Sequence, residues 1–139
     1  GELSDLTTLL IHANQLEGTI PTEIGQLTSL TELGVADNTL IGTVPTELGD
    51  LTALSIFAGY SNQLNGTVPI ELSVLTALEL LWLDGNFLTG TIPTELGKLS
   101  ALTTLYLSRN SCTGTLPTDL GQLTKLTDLR INENNLNGT

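Results

Sequence analysis

The chain has 139 residues, 40% of them hydrophobic, and it carries 15 acidic against 4 basic side chains. So acidic a surface excludes nucleic acid as a favoured partner, and no apolar run approaches the roughly 18 residues of a membrane-spanning helix. The charges are also unevenly placed, because residues 1–97 hold 12 acids and neither Lys nor Arg.

The sequence repeats every 24 residues without insertion or deletion. Each block opens on a leucine, and the openings are Leu3, Leu27, Leu51, Leu75, Leu99 and, for a partial sixth block, Leu123. A fixed, leucine-rich period of about 20 to 30 residues indicates a solenoid, in which each repeat buries its apolar face against its neighbours. We therefore expect a single solenoid domain over residues 1–139.

The first half of each block predicts a strand followed by a turn. In the block of residues 75–98, Leu81 and Leu83 are two residues apart, which predicts a strand with alternate side chains inward. Stacked strands, one per coil, predict a parallel sheet with a spacing of about 4.8 Å. An asparagine follows in all six blocks, and we interpret it as structural, its amide bonding to turn backbone or to the next amide.

The second half of each block predicts an extended segment and a helical turn. Gly90 suits a positive φ, and Pro93 favours an extended conformation just before it. Residues 94–97, Thr-Glu-Leu-Gly, then predict one helical turn that Thr94 caps and Gly97 ends.

The pattern LxxLxxLxLxxNxLxGTIPxELGx resembles the plant-type leucine-rich repeat of receptor-kinase ectodomains, polygalacturonase-inhibiting proteins and secreted plant and algal proteins. The resemblance covers every block. It implies an α/β fold, a right-handed solenoid with a concave parallel β-sheet and short helical turns on the convex side. For function it implies an extracellular interaction module, secreted or at the cell surface, that binds a peptide, protein or glycan on the concave face.

Members of that family usually carry cysteine-paired caps, whereas this chain has only Cys112. We therefore expect a fragment of a larger protein, whose strands near Leu9 and Ile131 are liable to pair edge to edge with another chain. Cys112 itself stands in a column of leucines and is expected to be buried.

No catalytic site, cofactor or metal site is predicted. His12 and Cys112 lie four coils apart, about 19 Å at about 4.8 Å per coil. One acid per coil suits the start of a helical turn, with weak divalent-cation binding and glycosidase chemistry as less favoured alternatives. That acidic column is Glu23, Glu47, Glu71, Glu95 and Asp119.

The blocks stop agreeing at the outward positions of the strands. An exposed apolar and aromatic patch is predicted there, a composition typical of recognition surfaces. Its residues are Trp82, Tyr106, Tyr60, Leu80 and Ile56. Two alternatives stay open. Aromatic side chains on adjacent strands also stabilise a sheet by cross-strand packing. Tyr60 is also able to fill the core beside Gly59, where the strand is free to bulge.

Arg109 and Arg130 are predicted to lie beside that patch, on the fifth and sixth coils. Because a guanidinium matches the geometry of a carboxylate, we expect a ligand across coils three to six with an anionic group near either arginine.

Two further patterns bear on function. The N-G-T sequons at Asn65 and Asn137 are predicted glycosylation sites and favour an extracellular location. An unbroken threonine column from Thr19 to Thr139 resembles the hydroxyl rows of solenoid ice binders. A surface-structural or ice-binding role is therefore the alternative function.

Overall fold

A computed structural model describes residues 3–138, which form a solenoid of stacked coils. Each coil contributes one strand to a six-stranded parallel sheet, in which the strands follow the order of the coils. The strands are β1 Thr8–Leu10, β3 Glu32–Gly34, β5 Ile56–Ala58, β7 Leu80–Trp82, β9 Thr104–Tyr106 and β11 Asp128–Arg130. The predicted parallel sheet is confirmed, and its outer face is called the concave face below.

The register of this sheet is regular through the third coil, where a bulge was a possibility. Residue i pairs with residue i+24 throughout, and Gly59 donates its N–H to the oxygen of Trp82 at 2.8 Å. The fully buried ring of Phe57 lies against Gly59 and fills the space of the missing aliphatic side chain. Tyr60 is therefore not needed in the core.

A second side of the solenoid carries parallel strands of two to five residues with a different register. They are β2 Glu17–Thr19, β4 Thr39–Thr43, β6 Gln63–Gly66, β8 Phe87–Leu88, β10 Thr113–Gly114 and β12 Asn135–Leu136. Here residue i pairs with residue i+22, as for Thr43 opposite Asn65. The predicted extended segment is confirmed. Because its register is i+22 in a 24-residue repeat, equivalent residues of neighbouring coils are displaced by two residues along the strand.

Short 3₁₀ turns form the third side. They span Thr22–Gln26, Thr46–Asp50, Ile70–Val74, Thr94–Lys98 and Thr118–Gln122. The predicted cap is wrong, because Pro93 occupies the N-cap position and the Thr94 hydroxyl instead contacts the Glu95 carboxylate at 3.2 Å. Within residues 3–138, none of the helical segments has the length and apolar character needed to cross a membrane.

The asparagine column ties neighbouring coils together through the backbone. The Nδ2 group of Asn86 donates to the oxygens of Gly59 and Leu83, at 3.0 and 3.1 Å, and its Oδ1 accepts the N–H of Leu64 at 3.0 Å. Asn38, Asn62, Asn110 and Asn134 repeat this pattern. The structural role is confirmed, whereas the alternative of amides bonding to one another is not found within residues 3–138.

The core is one continuous column of leucines between the three sides. Leu54, Leu78 and Leu102 of the middle coils are fully buried, and so is Cys112, as predicted. β1 and β11 form the edges of the concave sheet as described. Edge-to-edge pairing of these strands stays a prediction.

Candidate ligand-binding face

An aromatic ladder of Tyr60, Trp82 and Tyr106 crosses the concave face. Trp82 and Tyr106 stand opposite each other on β7 and β9, and their rings stack with centroids 5.9 Å apart and planes at 13°. The ring of Tyr60 also packs against the indole, with a centroid distance of 6.2 Å and a tilt of 60°. All three side chains are half-buried, so Tyr60 faces the sheet surface and not the core.

The ladder leaves one polar atom without a partner. Nε1 of Trp82 is the single buried side-chain nitrogen or oxygen in residues 3–138 that has no hydrogen-bond partner. Leaving a buried donor unpaired costs about 1 to 3 kcal/mol, so packing within the sheet alone does not account well for an indole at this position.

Charged groups close one end of the ladder. The Arg130 guanidinium lies 4.2 Å above the centroid of the Tyr106 ring and 3.3 Å from Oδ2 of Asp128. The Tyr106 hydroxyl donates a hydrogen bond to that same carboxylate. This bond is the main reason that the pKa of Tyr106 is raised and that of Asp128 is lowered. Arg130 is thus held by an aromatic ring and a carboxylate of the protein itself.

A hollow of about 170 Å³ lies at the other end of the ladder. The hollow exists because one outward strand position holds a small residue in the second and third coils, Gly34 and Ala58. The same position holds Trp82 and Tyr106 in the fourth and fifth coils. Its remaining lining includes Leu10, Ile56, Leu80, His12 and Glu32. The hollow and the ladder together form a continuous surface from the first coil to the sixth.

Carboxylates border this surface on the side where the strands end. Asp84 is half-buried, and the loss of solvent raises the pKa of its carboxyl group despite the attraction of Arg109 and Arg130. Asp37 adds to this increase and also raises the pKa of Tyr60, which burial raises most. The middle of the concave face is therefore negative in character.

The predicted site residues divide into three groups. Tyr60, Trp82, Tyr106 and Arg130 come together in the ladder, and Ile56 and Leu80 line the hollow. Arg109 lies apart, in a turn with a φ of 53°, and its Nε is 3.3 Å from the Glu133 carboxylate. Binding by any of these residues stays a prediction.

Sequence reasoning missed the residues that create the hollow. Gly34 and Ala58 stand in the same column as Trp82, and two small residues next to two large aromatic residues were the available signal. It also missed Glu32, which lines the hollow, and Asp128, which contacts Tyr106 and Arg130. These contacts depend on side-chain directions that the sequence does not specify.

The second side presents a row of exposed threonines: Thr19, Thr43, Thr67, Thr91 and Thr115. The methyl carbon of Thr43 lies 2.8 Å from the place a Cβ on Gly66 would take, and the other coils repeat this close approach. Each methyl group therefore packs on the glycine of the next coil, which fixes the direction of the hydroxyl. Because of the i+22 register, successive threonines are about 8 Å apart, from about 4.8 Å across and about 6.6 Å along the strands.

A second threonine row runs beside the first along the 3₁₀ turns. It consists of Thr22, Thr46, Thr94 and Thr118, with Ile70 in the third coil, and shallow troughs separate the two rows. Asn65 is exposed in β6 opposite Thr43, and Asn137 is exposed after β12. Both sequons are thus on the same side as the threonine rows, and their glycosylation stays a prediction.

Two family models, both described as leucine-rich repeat, match the chain over residues 76–136 and residues 5–27. Together they cover more than half of its length. A comparison with curated proteins finds no match.

Several solved plant structures are similar to this chain. The plant peptide hormone receptor RGFR1 in complex with RGF2 is 35% identical with a TM-score of 0.93, over 94% of this chain and 21% of that chain. The Arabidopsis receptor kinase HAESA, in complex with the peptide hormone IDA and the co-receptor SERK1, is 36% identical with a TM-score of 0.89, over 92% and 22%. A plant ice-binding protein is 30% identical with a TM-score of 0.85, over 94% and 50%. The chain spans about a fifth of the length of both receptors.

Proposed function

The chain belongs to the leucine-rich repeat family, and on this premise we propose that it is an extracellular recognition module, secreted or at the cell surface. Its ligand is a peptide, protein or glycan that lies on the concave face. The observation that carries this proposal is the aromatic ladder of Tyr60, Trp82 and Tyr106, three half-buried rings from adjacent coils. The two similar receptors that were solved with peptide hormones support it.

The fold itself does not require aromatic residues in these places. The column of Trp82 holds Leu10, Gly34, Ala58 and Arg130 in other coils, and the sheet keeps its register at all of them. Large aromatic anchors in a cluster are characteristic of binding surfaces, where they contribute most of the binding energy.

Replacing Trp82 with alanine is expected to weaken ligand binding by about 30-fold or more, corresponding to about 2 kcal/mol for an anchor residue. Peptides selected on the immobilised protein from a random linear library serve as the probe. Their dissociation constants are then measured by calorimetry with the wild-type protein and with the Trp82→Ala variant. The denaturation midpoint of the variant is expected to change little, since Trp82 projects from the outer face of the sheet.

Phe87→Ala is the matched control, because Phe87 is an aromatic residue that is 59% exposed on the second side. Peptides that bind at the concave face are expected to be insensitive to it. The proposal fails if Trp82→Ala leaves every selected peptide's affinity unchanged, or if it destabilises the fold as a core substitution would.

Ice binding through the threonine rows is the second candidate function. The supporting observation is that each methyl of the first row packs on a glycine of the next coil, which orders exposed hydroxyls along the solenoid. The likeness to a plant ice-binding protein also favours it. Against it, the second row is interrupted by Ile70, and the successive threonines of the first row do not stack directly above one another.

If the rows bind ice, we expect the unglycosylated protein to change the growth habit of single ice crystals, and Thr43→Val together with Thr67→Val to alter that effect. Valine keeps the methyl group that packs on the next coil and replaces the hydroxyl with a second methyl group. Thr103→Val with Thr127→Val is the matched control, since these exposed hydroxyls donate instead to the oxygens of Glu79 and Thr103. Unaltered hexagonal crystals with the wild-type protein would rule this function out.

A further inference from the structure

The hollow beside the ladder has the size and lining of a site for one apolar side chain. Its floor is formed by Gly34 and Ala58, and its walls include Leu10, Ile56 and Leu80. The volume is about 170 Å³, and an apolar cavity of about 150 Å³ accommodates benzene. One leucine, isoleucine or phenylalanine side chain of a ligand would fill it.

The rim of the hollow is negative, and its carboxylates form no ion pair within residues 3–138. Glu32 lines the hollow, and Asp37 and Asp84 lie close to Tyr60 at the ends of the strands. Residues 1–97 contain neither Lys nor Arg, so no lysine or arginine of the first three coils can pair with these carboxylates. His12 and Tyr60 are the other titratable groups in the lining.

The positive charges of the concave face, on the fifth and sixth coils, are already matched by acids of the sixth coil. Arg109 pairs with Glu133 and Arg130 with Asp128, each at 3.3 Å. An anionic ligand group would have to compete with these carboxylates. A cationic group near the hollow would instead meet Glu32 and Asp37, which form no ion pair within residues 3–138, and the half-buried Asp84, which Arg109 and Arg130 attract without pairing with it.

We propose that the hollow binds the apolar side chain of a peptide that carries lysine or arginine next to it, with the cation facing either Glu32 on one side of the hollow or Asp37 and Asp84 beside Tyr60 on the other. The proposal rests on the recognition function stated above and specifies its ligand class. It also reverses the charge expected from the sequence, which predicted an anionic group near Arg109 or Arg130. A peptide that fills the hollow and also contacts the ladder would cross several coils.

The peptides selected on the wild-type protein provide the first test. Those whose binding Trp82→Ala weakens are sequenced, and they are expected to be enriched in Lys or Arg directly beside Leu, Ile or Phe, relative to the starting library. Enrichment in Asp or Glu, or no enrichment of either charge, overturns the proposal. Such a result leaves the recognition function intact, because that function depends only on the loss caused by Trp82→Ala.

Two variants then test the rim and the hollow with the best of these peptides. Glu32→Gln combined with Asp84→Asn is expected to weaken binding about tenfold or more and to reduce its salt dependence. Glu23→Gln combined with Glu71→Gln is the control, since it removes the same net charge from exposed positions on the 3₁₀ turns. Ala58→Leu, which fills the hollow from its floor, is also expected to weaken binding about tenfold or more.

Each outcome decides the proposal. Equal losses from the rim and control pairs show a general charge effect and contradict a specific cation site. Full binding by Ala58→Leu contradicts the use of the hollow, provided that its denaturation midpoint matches the wild type. If the selection yields no peptide sensitive to Trp82→Ala, both this proposal and the recognition function are overturned.

Discussion

Replacing Asn86 with alanine is expected to lower the free energy of unfolding by about 3 kcal/mol or more. Asn86 is 5% exposed, and its amide serves two groups of the preceding coil, the N–H of Leu64 and the oxygen of Gly59. Removing the amide leaves both buried backbone groups without this partner, at about 1 to 3 kcal/mol each. Alanine also leaves a small cavity in the turn, which adds to the loss.

Glu95→Ala is the reference substitution in the same coil. Glu95 is only half-buried, and the one side-chain hydrogen bond of its carboxylate is with the neighbouring Thr94 hydroxyl, so its loss is expected to cost well under 1 kcal/mol. Chemical denaturation of both variants at neutral pH measures the difference. Equal midpoints would mean that the asparagine column does not join the coils energetically.

Because solenoid stability depends on contacts between adjacent repeats, the loss at Asn86 acts on the junction of the third and fourth coils. Hydrogen exchange is therefore expected to show the largest loss of protection around residues 59–64 and 83–88 in Asn86→Ala. These segments contain the backbone groups that the amide bridges.

The repeating parts of the fold could be predicted because each column has one dominant physical role. Leu81 points inward and Asn86 satisfies a turn, and both roles follow from side-chain chemistry alone. The role of Thr94 was predicted wrongly, since Pro93 takes the N-cap position and a hydroxyl has several partners within reach. The i+22 register of the second side was not predictable, because a 24-residue period does not determine how far equivalent residues of successive coils are displaced along the strand direction.

The candidate site was predictable only in part. The stacking of Trp82 on Tyr106 follows from their shared column on adjacent strands, and the structure has them opposite each other. The pairing of Arg130 with Asp128, two residues away on the same strand, depends on rotamers that the sequence does not specify. That pairing changes the electrostatics of the face and with them the expected charge of a ligand.

Gly97→Ala is expected to destabilise the chain by about 3 kcal/mol, at the upper end of the usual cost of overpacking. A Cβ at Gly97 would lie well under 3.0 Å from the backbone oxygen of Asp119, a distance that real Cβ atoms essentially never show. Since a backbone atom cannot move aside as a side chain can, the fourth and fifth coils would have to separate. That separation would weaken the leucine packing between them.

The fifth coil offers a control at the equivalent position, because a Cβ at Gly121 would meet no atom within 4 Å in residues 3–138. Gly121→Ala in the same 139-residue chain is expected to be neutral or to stabilise by up to about 1 kcal/mol, since alanine restricts the unfolded state. Ser73 at the equivalent position of the third coil is buried, so the stack accommodates a Cβ at one of its junctions. Thermal and chemical denaturation of the two variants measure the contrast. Equal stability of Gly97→Ala and Gly121→Ala would mean that the close contact between coils relaxes without cost, and that glycine there reflects the helical turn alone.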